Sequence, residues 1–223
     1  MENPWLELGQ KMLDKEFMSK NDKEFVAEGD KESIDKINEK ILNGSSTHKD
    51  KYIIDPKILP EPFWGDLENA NVYILSGNPG LGDDEKDFND NPDLVEATRR
   101  SITQNDPYIV WLDPAKPPIK NGEKIHNGHD YWIKKTKVLR EAANPGNLNI
   151  CIIEYFPYHS MKISSAMKTI GPDMPSSKFA NECIEKAINN DNKQPWIVIA
   201  RCKKEWLDRI EGLKEYGKKA VES

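Results

Sequence analysis

Two short segments concentrate the residue types that bind small molecules and move protons. The first, Ser76-Gly77-Asn78-Pro79-Gly80-Leu81-Gly82-Asp83-Asp84-Glu85, follows the apolar run Val72-Tyr73-Ile74-Leu75. The second, Glu154-Tyr155-Phe156-Pro157-Tyr158-His159-Ser160, follows Ile150-Cys151-Ile152-Ile153. In the first, Gly77 and Gly80 let backbone come close to a ligand, and Pro79 stiffens the turn. Asn78 is thereby held in one orientation, and a fixed amide can hold a water by donating and accepting hydrogen bonds. The loop lacks the lysine and hydroxyl residue of a Walker loop, and its glycine spacing is not that of a dinucleotide fingerprint. Its bland reading is a turn without a role. In the second segment, Phe156 and Tyr158 offer rings that can stack on a planar ligand. His159 can donate to a phosphate or to a departing group, and the Glu154 carboxylate can accept from an exocyclic amine. Each also reads as an ordinary residue at a strand end. Ser176-Ser177-Lys178 can bind a phosphate at a helix start or simply cap the helix.

Both segments need strands behind them, and the hydrophobic pattern supplies these. Strands are predicted over Val72–Leu75, Tyr108–Leu112, Ile150–Ile153 and Trp196–Ala200. Helical stripes run through Trp5, Leu8, Met12, Leu13 and Phe17, and through Ile34, Ile37, Ile41 and Leu42. Further stripes cover Leu94–Ile102, Trp132–Ala142, Ala180–Ile188 and Lys203–Tyr216, the helix at Ala180 being capped by Ser176 or Ser177. Leu59–Asp66, with two prolines, reads as an ordered loop, and Pro114–Gly128 as an unusually long one. Strands alternating with helices imply an α/β fold with a mainly parallel central sheet covered on both sides. In such sheets ligands gather beyond the carboxyl ends of the strands, which is where both segments lie. Residues 1–57 form an N-terminal helical segment, and 58–223 the α/β domain.

Composition narrows the function classes. Hydrophobic residues make up 37% of the 223, enough for a core. No apolar run approaches a membrane span, and the N-terminus is not a secretory signal, so a soluble cytoplasmic protein is expected. Three scattered cysteines suggest neither a disulfide framework nor a zinc site, so no metal or cofactor is implied. The net charge is −6. Residues 1–70 hold 10 Lys and Arg against 16 Asp and Glu, out of 32 and 38 in the whole chain, so residues 71–223 balance at 22 of each. The acid excess lies in the first third. The rest can present a basic face through Arg99, Arg100, Lys134, Lys135, Lys137 and Arg140.

The run Val72-Tyr73-Ile74-Leu75-Ser76-Gly77-Asn78-Pro79-Gly80-Leu81 resembles the first motif of the uracil-DNA glycosylase superfamily. It is closest to the mismatch-specific thymine/uracil glycosylases, whose strand runs into Gly-Ile-Asn-Pro-Gly-Leu. His129-Asp130-Tyr131-Trp132 resembles an aromatic-rich stretch after that motif. The strand ending in Tyr155-Phe156-Pro157 and the later order of elements are also similar, over residues 58–216. The resemblance implies a three-layer α/β/α sandwich that flips a nucleotide from DNA and cleaves its N-glycosidic bond. Asn78 would be the water-positioning residue, with His159 as a second catalytic group. Gly77, Pro79 and Gly80 would shape the pocket, and Phe156, Tyr158 and Glu154 would hold the base. Ser176, Ser177 and Lys178 would hold the DNA backbone. DNA, single- or double-stranded, is the implied partner, of a monomer without a cofactor. Superfamily members carry a further strand and a Ser/His-containing motif beyond the helix corresponding to Lys203–Tyr216, and this sequence stops before one. Two rivals stand beside base excision. One is a non-catalytic nucleotide- or DNA-binding module using the same cleft. The other is an enzyme for a small substrate that recruits a divalent cation at Asp83-Asp84-Glu85.

Overall fold

The computed structural model describes residues 2–82, 89, 91–112, 119–120, 123–124, 127–142 and 148–222. In chain order, helices α1 (Leu6–Lys11), α2 (Lys15–Ser19) and α3 (Lys31–Asn43) precede strands β1 (Phe63–Trp64) and β2 (Val72–Leu75). Then come α4 (Pro92–Thr103), β3 (Ile119–Lys120), β4 (Glu123–Lys124), α5 (Asn127–Ala142) and β5 (Ile150–Ile153). The order closes with α6 (Ser165–Ile170), α7 (Pro175–Ile188), β6 (Trp196–Ile199), α8 (Lys203–Arg209) and α9 (Leu213–Glu222).

The fold is mixed α/β. Its main sheet has the order β1-β5-β2-β6, with β5, β2 and β6 parallel and β1 antiparallel at one edge. Every residue of β2 and β5 is buried. Strands flanked on both sides and covered on both faces must be apolar throughout, which explains their unalternating sequences. β6 lies at the other edge, and its first residue, Trp196, is 72% exposed. β2 and β5 run in register, Leu75 opposite Ile153, so Ser76 and Glu154 leave the sheet side by side.

Several elements differ from the sequence pattern. Tyr108–Leu112 is not a strand; Val110–Leu112 forms a turn of 3-10 helix. A strand would point Val110 and Trp111 to opposite faces, whereas the helical turn buries both. Phe63–Trp64 is a two-residue strand despite the neighbouring prolines, because an edge strand tolerates them. The expected first helix breaks before Asp14, whose side chain caps α2 at Glu16 N, and Leu13 is left exposed. The last helix breaks at Gly212, whose φ of +81° lies in the left-handed region where glycine is favoured. β3 and β4 form a small antiparallel ladder within the expected long loop.

The N-terminal helices belong to the same hydrophobic core as the sheet, which is continuous from Trp5 to Leu213. A buried polar junction fastens them. Asp30, fully buried, accepts from the Tyr158 hydroxyl at 2.7 Å and from Ser176 N at 3.2 Å. The same hydroxyl accepts from Ala27 N at 3.1 Å. Burial pushes the Asp30 carboxyl above its ordinary range and the Tyr158 hydroxyl well above its own. Among the described residues, no helix is long and apolar enough to cross a membrane.

Tyr158→Phe removes the hydroxyl that bridges Asp30 and Ala27, leaving one Asp30 oxygen and the Ala27 N–H without it. The expected cost is about 1–3 kcal/mol in urea unfolding, with faster proteolysis between α1 and α3. Unchanged stability and cleavage would show that packing alone holds the segment.

Candidate functional site

The loops after β2 and β5 are stitched together at the carboxyl end of the sheet. Phe156 N donates to Gly77 O at 2.9 Å. The Asn78 side-chain amide donates to Ser160 O at 2.9 Å, to Ser160 Oγ at 3.1 Å and to its neighbour Pro79 O at 2.8 Å. His159 Nδ1 bonds Gly80 O at 2.6 Å. Asn78 is only 5% exposed, so its amide plane is fixed by the protein and Oδ1 is the end left to accept. Gly77 is needed at this seam. A Cβ there would come within 3.2 Å of Cys202 Sγ and of Ile163 Cδ1. At Gly80 a Cβ would meet nothing, so its lack of a side chain is not a packing requirement.

Glu154 is the chemically unusual group. It is buried where β5 ends, and its carboxyl is bonded by the Ser76 side chain and by Gly77 N–H. Its Oε2 has no hydrogen-bond partner. Burial pushes its pKa up to about 8, and the charge of Glu61 adds to the rise; Ser76, Arg201 and the Gly77 N–H oppose it. At neutral pH the carboxyl therefore holds its proton. Behind it, Glu61 Oε2 accepts from two indoles, Trp64 Nε1 at 2.8 Å and Trp111 Nε1 at 3.0 Å. Glu61 Oε1 lies 3.5 Å from His159 Nε2. Arg201, just after β6, and Tyr131, in the first turns of α5, stand within electrostatic reach of Glu154. Tyr131 is 37% exposed, with Trp132 edge-on to its ring at 5.0 Å and Lys135 Nζ 5.5 Å from the ring centre.

The structure thus brings together Asn78, Gly77, Pro79, Gly80, Glu154 and His159, but it corrects several expected roles. Phe156 is fully buried, packed edge-on to Tyr158 at 5.7 Å and tight against Gly171, where a Cβ would lie 3.0 Å from its ring. Tyr158 is also fully buried, and its hydroxyl is spent on Asp30 and Ala27. Neither ring has a free face, so the expected stacking wall is part of the core. His159, 1% exposed, braces the Gly80 carbonyl and faces Glu61 rather than a phosphate. Ser176 and Ser177 are buried inside the first turn of α7, whose N-cap is Met174, so neither caps the helix or meets solvent. Lys178 is exposed, 4.0 Å from Asp173. The candidate basic face is largely self-paired. Arg99 pairs with Glu96, Arg100 with Asp106 and Lys137 with Glu141, while Arg140 bonds Thr136 Oγ1 and Ile133 O within its own helix. Asp83-Asp84-Glu85 lie outside the described residues. Among those described, no three His, Cys, Asp or Glu side chains are grouped to hold a metal ion. A cleft of about 420 Å³ at the opposite end of the sheet, between Gly65, Tyr108, Leu112 and Arg140, holds none of this polar chemistry.

Sequence reasoning missed Glu61, Ser160 and Arg201 as members of the seam. Glu61 had one local signal: a carboxylate flanked by prolines and followed by Phe63-Trp64, where a buried indole needs an acceptor. Comparison with protein-family models, with curated proteins and with solved structures finds no match for the chain.

The raised Glu154 pKa has a thermodynamic signature. The folded protein keeps a proton that the unfolded chain releases above its ordinary value of 4.5. The stability tied to that proton is complete below this value and is lost as pH rises towards about 8, at about 1.4 kcal/mol per pH unit. Glu154→Gln should remove that slope, so the variant gains on the wild type in urea unfolding across this window. Parallel profiles would show that Glu154 is ionised in the folded state.

Proposed function

We propose that the protein is a monofunctional DNA glycosylase that hydrolyses the N-glycosidic bond of a flipped uracil or mispaired or modified pyrimidine, on a uracil-DNA glycosylase-like three-layer sandwich. The observation that carries this reading is the convergence of a clamped asparagine amide and a neutral buried carboxyl at the carboxyl ends of two adjacent parallel strands. Ligands of parallel sheets bind at this end. The sequence of the loop bearing Asn78 supports the same reading, as does the parallel order β5-β2-β6.

The chemistry asks for a placed water and a stabilised leaving base. Asn78, its amide nitrogen held by Ser160, accepts from the water through Oδ1. As the bond from C1′ to the base nitrogen breaks, the electron pair leaves with the base and the sugar becomes oxocarbenium-like. The water oxygen then bonds to C1′ and releases its proton to solvent. Glu154, neutral, donates through its unpartnered oxygen, which is shielded until the seam opens around a flipped base, to a carbonyl of that base and spreads the departing charge. A donor at that point favours the carbonyl-rich edge of uracil or thymine over the amine of cytosine, the reverse of what a carboxylate would choose. His159 and Glu61 hold the loop in place, and the ring available for stacking is Tyr131. Extrusion costs least for a mispaired or damaged base, which contributes selectivity.

The second reading is a non-catalytic nucleotide- or DNA-binding module in the same cleft. The withdrawal of Phe156 and Tyr158 into the core favours it, since two expected stacking rings are lost.

Oligonucleotides carrying uracil, mispaired thymine or modified cytosine, single- and double-stranded, followed by alkaline cleavage, separate the two. The expected result is abasic-site formation, strongest on uracil or thymine. It should fall at least about 10²-fold in Asn78→Ala, with DNA affinity nearly unchanged and stability lowered by about 1–3 kcal/mol for the lost loop-bridging hydrogen bonds. Binding without base release on every substrate would support the module. Full activity in Asn78→Ala would remove Asn78 from the mechanism.

A further inference from the structure

A second charged feature lies one residue beyond Glu154, on the side of the sheet covered by α8. Arg209, the last residue of α8, stacks its guanidinium over the Tyr155 ring at 4.3 Å. Both its terminal nitrogens are shielded from bulk water, and among the described residues neither has a hydrogen-bond partner. Burial lowers its pKa below the ordinary guanidinium range, with the charges of Tyr155 and then Asp173 acting against the fall. A half-buried guanidinium whose shielded terminal nitrogens bond to nothing in the protein is costly, because these donors are arranged to grip an oxyanion and the water they lose goes unreplaced. An acceptor from outside the chain would satisfy these donors.

The surroundings say what kind of acceptor. A concavity of about 460 Å³ adjoins Arg209, lined also by Tyr155, Lys168, Pro172, Lys204 and the carboxylates of Glu205 and Asp208. The two carboxylates are already neutralised. Glu205 pairs with Lys168, and Asp208 with Lys214 at 3.2 Å. Asp173 faces Lys178 at 4.0 Å. Lys204 is exposed and joins no ion pair among the described residues. Two positive charges, Lys204 and Arg209, are thus left over at one concave surface. One is a planar fork suited to oxyanion geometry, and the other is a mobile point charge.

We propose that this concavity is a phosphate-binding site, in which the Arg209 guanidinium turns from its shielded place on Tyr155 to grip the phosphate oxygens and Lys204 supplies long-range attraction. Tyr155 packs edge-on against Trp206, whose indole donates to Ser76 O at 2.7 Å, so one wall of the concavity is tied to the strand-end seam. That the phosphate belongs to a DNA strand whose base enters the pocket rests on the base-excision reading; that the site takes a phosphate group does not.

The test titrates inorganic phosphate against the full chain at constant ionic strength and follows the melting temperature. The wild type should show a saturable rise. Arg209→Met should melt at or above the wild type without phosphate, since an unpaired buried charge has gone, and should lose the phosphate response. Apparent affinity should fall at least about tenfold, as for a lost hydrogen bond to a charged group. Lys204→Glu, an exposed change that leaves the fold alone, should weaken the response, and Lys40→Glu on α3 should not. Absence of a wild-type response, or an equal response in Lys204→Glu or in a folded Arg209→Met, overturns the site. A second arm competes bound phosphate with an oligonucleotide and with its uncharged methylphosphonate analogue. Competition by the charged strand alone supports a DNA phosphate, and no competition by either overturns that source in favour of a free anion. Neither arm needs base release, so an inactive glycosylase and a failed phosphate site give different results.

Discussion

A buried carboxyl between two strand ends sets the terms for everything around it. Glu154 leaves the sheet beside Ser76 because β2 and β5 are parallel and in register. At that point the chain can offer it one hydroxyl and one backbone N–H, and no cation close enough to outweigh burial. With the Glu61 charge nearby, ionisation is disfavoured, and the cheapest solution is to keep the proton. Around this group the other polar atoms satisfy one another across the two loops: Asn78 with Ser160, His159 with Gly80, Phe156 N–H with Gly77. Buried polar networks are tolerated when their members are bonded, and they then hold a single geometry. Asn78 owes its fixed orientation to this stitching, as the proposed water-positioning role requires.

The N-terminal helices change how the second loop can be used. Tyr158 reaches across to Asp30 and Ala27, and Trp5 packs on its ring at 5.8 Å. With that tyrosine drawn inward, Phe156 follows, filling the space against Gly171. The loop gives its aromatics to the core and its polar groups to the seam with the loop after β2. Tyr131 on α5 and Arg201 after β6 lie within electrostatic reach of the carboxyl, so the site draws on more of the chain than two loops.

Much of the scaffold could be read directly from residue order. Val72–Leu75 and Ile150–Ile153 announced themselves as central strands, because only a strand covered on both faces is apolar at every position. The location of Asn78 followed from the same reasoning. What stayed hidden was mostly non-local. Nothing near Tyr158 signals that Asp30, 128 residues away, will claim its hydroxyl. A strand end tells where a side chain leaves the sheet but not whether solvent or core receives it, so Phe156 and Tyr158 read equally well as ledge or filling. Ser176 and Ser177 look like capping residues, yet Pro175 at the first helical position places the cap at Met174 and turns both serines inward. Val110-Trp111 matches a strand by composition, and only the demand that both side chains be buried selects the 3-10 turn.

The central claim, a carboxyl kept neutral by its place in the fold, can be read from the atom itself. Side-chain carboxyl carbon NMR across a pH titration, with the Glu154 resonance assigned by its loss on substitution, follows the proton directly. A midpoint near 8 is predicted, far above the ordinary 4.5. A midpoint in the ordinary carboxylate range would mean that Glu154 is charged at neutral pH. The seam would then rest on an anion, and the proposed donor to a departing base would not exist.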